Sequence, residues 1–124
     1  MRQLLLVFFG GGLGSVTRFV LGKWISTLHQ HHFPWGTLAA NVGACLAVGF
    51  FIGLADHKQL ISPASRIFWV VGFCGGFSTF STFSVETINL IQQGFTISSF
   101  SYVLASVALC VGATFAGLSC ARLF

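Results

Sequence analysis

The residues with the most chemical promise lie between Gly72 and Ser84, where the chain reads GFCGGFSTFSTFS. Phe80 and Phe83 stand three residues apart, a spacing that puts both phenyl rings on one helix face, with the hydroxyls of Ser81, Thr82 and Ser84 beside them. A phenyl ring is electropositive at its edge, so edge-on rings can receive a small anion while excluding water. Neutral hydrogen-bond donors suit the same cargo, because they replace hydration without becoming a trap. Further donors of this kind are Asn41, Tyr102, Ser106 and Thr114. Tyr102, Ser106, Cys110 and Thr114 follow one another at steps of four, which aligns them in one row along a helix. That row reads either as a polar track or as a packing face rich in Ser and Thr. The chain offers no paired carboxylates, no nucleophile with a base, no phosphate-cradling loop and no metal cluster, so the sequence predicts a protein that is not an enzyme.

These residues must be held by elements that live in lipid. The chain has 124 residues, 55% hydrophobic and only 6% charged, against roughly 25% charged in ordinary soluble domains. With repeated apolar runs near the length of a transmembrane helix, the composition predicts one small integral membrane domain over residues 1–124. Four spans are expected: Gln3 to Leu21, about Thr37 to Ala55, Trp69 to about Ile91, and about Phe100 to Ala121. Gly22 to Trp35, with Lys23, Trp24, His29, His31, His32 and Pro34, reads as an interfacial connector whose histidines are solvated. Asp56, His57, Lys58, Ser62, Pro63 and Arg66 make the one well-charged loop. The formal charge of +4 is scattered, without the stripe that nucleic acid requires.

Within the third span, Gly72, Gly75 and Gly76 weaken an unbroken helix by about 1 kcal/mol each, and the neighbouring hydroxyls offer the backbone other partners. Unwound backbone at membrane depth survives only where protein buries it or where it lines a polar cavity. The motif therefore reads as a break at the functional centre, or alternatively as a close-packing face of small residues. Gly10 with Gly14, and Gly49 with Gly53, are further small-residue pairs. Arg18, near the end of the first span, reads as a snorkelling cation or as a cation at the mouth of an anion path. Cys45, Cys74, Cys110 and Cys120 form no CxxC pair and read as buried free thiols.

The third-span motif, Thr37 and Asn41 in the second span, the glycine-rich first span with Arg18, and the Tyr102, Ser106 and Thr114 row closely resemble the Fluc (CrcB) fluoride channels. The resemblance covers the whole chain. It implies an all-α membrane protein, an antiparallel dual-topology homodimer of four-helix subunits whose third helix is broken near its middle. It further implies passive fluoride export across the bacterial inner membrane through two pores, with a structural sodium ion at the dimer centre. On these positions, Phe80 and Phe83 would line the path, and Asn41 would be a donor near them. Tyr102, Ser106 and Thr114 would form the polar track, with Ser81, Thr82 and Ser84 alongside. Thr37 would belong to the same path, Glu86 would sit near one mouth, and Arg18 would be the vestibule cation. Gly75 and Ser78 would hold sodium by their backbone carbonyls. Cys110 departs from the pattern, because a hydroxyl would donate better there.

Arg2, Lys58, Arg66 and Arg122 on one side against Lys23 and Arg18 on the other lean toward termini inside, whereas the resemblance implies both orientations. The competing reading is a proton-coupled transporter of the small multidrug resistance type. Such a pump needs an intramembrane acid, usually in the first span, and here Glu86 is the only candidate.

Overall fold

The computed structural model describes residues 1–58 and 60–124, the side chains of residues 57 and 58 excepted. Four helical segments are long and apolar enough to cross a membrane: Arg2–Leu28, Trp35–Asp56, Pro63–Gln92 and Thr96–Ala121. No strand occurs among the described residues.

Each span is longer than its apolar core. The first helix runs Arg2–Leu28, through Lys23 and Trp24, so the connector shrinks from the expected Gly22 to Trp35 to residues 29–34. Nothing between Gly22 and Leu28 stops a helix, and Pro34 is the first residue that does. The second helix, Trp35–Lys58, carries Asp56 on its final turn rather than in a loop. Asp56 meets Arg66 at 3.2 Å in a half-exposed ion pair worth about 0–1 kcal/mol. The side chains of His57 and Lys58, counted in that charged stretch, lie outside the described residues. The third span begins at Pro63, not Trp69, because the Ser62 side chain accepts from the Ser65 amide at 3.2 Å and proline at the first position is pre-set for a helix. The loop expected over Gln92 to Ser99 is likewise short: Gly94 turns the chain at φ 86° and the fourth helix starts at Thr96.

Glycines set how closely the helices meet. A Cβ on Gly10 would stand 2.6 Å from the Phe68 carbonyl oxygen, and one on Gly14 would overlap that of Phe73. Gly76 faces the Gly11 backbone in the same seam. On the other side of the bundle, Gly49 admits the Thr114 carbonyl, Gly53 lies against Leu118, and Gly117 admits the Leu46 carbonyl. Residue numbers rise together along this contact, so the second and fourth helices run parallel. A methyl at Gly49 is expected to cost about 1–3 kcal/mol by forcing these backbones apart. Gly49→Ala should therefore lower the melting temperature in detergent, while Gly112→Ala, with open space around it, should not.

The third span is irregular for most of its first half. An α-helical turn, Pro63–Arg66, leads into a π-helical stretch, Ile67–Cys74, and a last turn, Gly75–Phe77. Ser78 (φ −78°, ψ 157°) and Thr79 (φ −152°, ψ 120°) are extended, and helix resumes over Phe80–Gln92. The break thus falls after the glycines. Gly72 and Gly76 serve the seam with the first helix, and the hydroxyl-bearing residues that follow open the backbone, so each of the two readings of the motif holds for different residues.

Candidate functional site

The break is pinned from the second helix. Asn41 Oδ1 accepts the Thr79 amide at 2.7 Å, and Asn41 Nδ2 donates to the Thr79 carbonyl at 3.1 Å. One carboxamide thereby satisfies both polar groups of an extended residue at membrane depth. Thr79 in turn caps the second half-helix: its hydroxyl accepts the Thr82 amide at 3.3 Å and donates to Thr82 Oγ1 at 3.0 Å. Asn41 was expected as a donor near the rings. The structure commits it first to the break, leaving one amide hydrogen for anything else.

These bonds leave two carbonyls short. The Thr79 amide, which would close a helical turn on Gly75, goes to Asn41, and the Thr82 amide, which would close one on Ser78, goes to the Thr79 hydroxyl. Neutral carbonyl oxygens stripped of their helical donors fit a hard alkali cation. Gly76 differs, since its carbonyl accepts from Arg18 Nε at 3.1 Å and Ser15 Oγ at 3.4 Å. Arg18 sits well inside the first helix rather than near its end, and places positive charge at the C-terminal end of the half-helix, where the peptide dipoles favour it.

A groove of about 260 Å³ opens beside the break, lined by Asn41, Cys45, Ser78, Thr79, Phe80, Phe83, Ser106, Val107 and Cys110. The Phe80 and Phe83 ring centroids are 5.4 Å apart, with planes tilted by 40°. Phe80 is 79% exposed, so its ring is covered little beyond its contact with Phe83. Ser106 is 7% exposed, and its hydroxyl has no partner among the described residues. A buried, unspent donor is costly, and this one lies against the rings' groove.

Glu86 lies between two donors: Thr37 Oγ1 donates to Oε1 and Tyr102 OH donates to Oε2, each at 2.8 Å. It also lines a cavity of about 380 Å³ together with His29, His31 and His32, three exposed histidines of the first helix end and connector. No group of three or more metal-ligating side chains occurs among the described residues. Tyr102 is fully buried, with its ring 5.0 Å from Phe83. Thr37, Tyr102 and Glu86 therefore join the histidine-lined cavity to the ring groove.

The remaining candidates scatter. Thr82 and Thr37 share a second cleft, of about 300 Å³, with Arg18 and Lys23. Ser81 reaches Thr79 at 3.3 Å. Ser84 and Thr114 spend their hydroxyls on carbonyls of their own helices, those of Phe80 and Cys110. Of the row at steps of four, Ser106 and Cys110 line the ring groove and Tyr102 holds Glu86, while Thr114 lies at the contact with Gly49. Sequence reasoning missed Thr79 and Cys45. Thr79 was legible as a cap, a threonine three residues before another hydroxyl and just ahead of a periodic apolar run.

Four lipid-length spans, the third of them broken, with a groove beside the break that holds neutral hydrogen-bonding side chains, define a multi-pass membrane protein. The chain belongs to the CrcB family: residues 5–118 match the family described as CrcB-like protein, Camphor Resistance (CrcB). A relative from Rhizobium etli is 44% identical over 122 residues, which cover 98% of each chain, and one from Rhizobium meliloti is 43% identical over the same share. A third, from Nitrobacter winogradskyi, is 46% identical over 123 residues, covering 96% of this chain and 94% of its own. All three bear the name fluoride-specific ion channel FluC.

Proposed function

We propose that the chain is a fluoride-selective channel that lets fluoride leave the cell passively, working as an antiparallel, dual-topology homodimer in the bacterial inner membrane. The observation that carries this reading is the unspent Ser106 hydroxyl in a groove walled by Phe80 and Phe83, a donor with ring edges and no fixed charge. The names of its relatives support fluoride as the cargo. The exposed Phe80 ring supports a second copy as the missing wall of the path. A sodium ion at the dimer centre would be held by the Gly75 and Ser78 carbonyls of both subunits, which the Thr79 and Thr82 amides have left free. Bound there, it would neutralise lone pairs that otherwise face one another at membrane depth.

Efflux from reconstituted liposomes tests the cargo. Fluoride should leave faster than chloride by roughly two orders of magnitude, and equal rates would overturn the selectivity. Crosslinking of opposed single-cysteine variants should trap antiparallel pairs, and exchanging sodium for potassium should weaken the dimer.

The intramembrane Glu86 favours one rival, proton-coupled transport. Its two donors, Thr37 and Tyr102, instead hold the carboxylate in place as an acceptor. Glu86→Gln should keep a measurable part of the fluoride flux, and a pH gradient should not drive fluoride uphill in voltage-clamped liposomes. Uphill accumulation lost in Glu86→Gln would make the protein a pump.

A further inference from the structure

We infer that Cys45 and Cys110 form a two-thiol site for a soft, thiophilic cation inside the ring groove. Both side chains line the same cavity of about 260 Å³, one from the second helix and one from the fourth. Their adjacency follows from the packing one turn away. Gly49 lets the Thr114 carbonyl lie directly against the second helix, and Cys45 and Cys110 each precede that contact by one helical turn, on helices that run parallel. The two thiols therefore lie side by side in the groove, one turn before the close approach of the two helices. Both cysteines are free, as is every other cysteine in the chain.

The donor set selects the ligand. Two sulfurs among phenyl rings, Val107 and the neutral side chains of Asn41, Ser78, Thr79 and Ser106, with no carboxylate or imidazole in the groove, disfavour hard cations and borderline ones that need four strong ligands. Ions content with two sulfur ligands remain: mercury(II), silver(I) and copper(I). Binding is a proton exchange and needs no oxidant: two S–H bonds break, two S–metal bonds form, and two protons leave to water. Cys74 is 1% exposed and does not line the groove, and Cys120 lies far along the fourth helix, so neither belongs to the site.

The site itself needs no ion flux to be seen. In detergent, with Cys120→Ser as the parent, titration with mercury(II) should remove two reactive thiols per bound ion. Closing a two-point site raises affinity through effective concentration, so Cys45→Ser and Cys110→Ser should each weaken binding by roughly 100-fold or more. Cys74→Ala should bind as the parent does. Loss of one thiol per ion, or single variants that bind as tightly as the parent, would overturn the site. The same titration in liposomes bears on the reading of the groove as the ion path, on which only the effect on flux depends. Mercury(II) should stop fluoride efflux from the parent, and excess dithiothreitol should restore it. Two-thiol binding with undiminished efflux would confirm the site and move the path elsewhere.

Discussion

Phe83→Ile is expected to reduce fluoride efflux from liposomes by roughly two orders of magnitude, with Phe80→Ile close behind, while the elution volume of the protein in detergent stays unchanged. Isoleucine nearly keeps the bulk of the ring and removes its electropositive edge. Phe83 has the larger role because it touches two things at once: its ring lies 5.4 Å from Phe80 on the same helix and 5.0 Å from Tyr102, the residue that donates to Glu86. Losing it changes the groove wall and the packing that aims Tyr102. Phe80 projects from the helix bundle, so its loss should leave the stability of the fold unchanged and register in flux alone. Undiminished efflux in both variants would remove the rings from the path and leave the hydroxyls as its only polar guide.

Asn41→Leu should have the largest effect on folding. Leucine fills the volume but leaves the Thr79 amide and carbonyl unpaired, at about 1–3 kcal/mol each. Together they amount to a large share of the 5–15 kcal/mol that holds a typical domain. Asn41→Asp separates the two bonds, because a carboxylate accepts from the Thr79 amide and cannot donate to its carbonyl. Melting temperatures in detergent should fall in the order asparagine, aspartate, leucine. Equal melting of all three would show that the break is held by the first helix, through Arg18 on Gly76, rather than by the second.

Much of this protein was legible in one dimension. Length, charge deficit and apolar runs determine four lipid-spanning helices, because a bilayer accepts few other solutions. Hydroxyls and glycines between Gly72 and Ser84 mark the third span as the one able to break, since their backbone preferences are local, and leave a close-packing face as the equal alternative.

Tertiary structure decided which residue opens the chain and which side chains have donors to spare. The glycines looked like the breakers, yet Gly72 and Gly76 are consumed by contact with Gly10 and Gly11, a demand set by another helix. The opening falls at Ser78 and Thr79, where Asn41, distant in sequence, offers a better partner than the next turn. The same holds for the hydroxyls. Ser84, Ser106 and Thr114 are alike in sequence, but Ser84 and Thr114 bond their own helices and Ser106 finds no partner among the described residues. A hydrogen bond is settled by what lies within about 3 Å, and that neighbourhood exists only once the helices have packed.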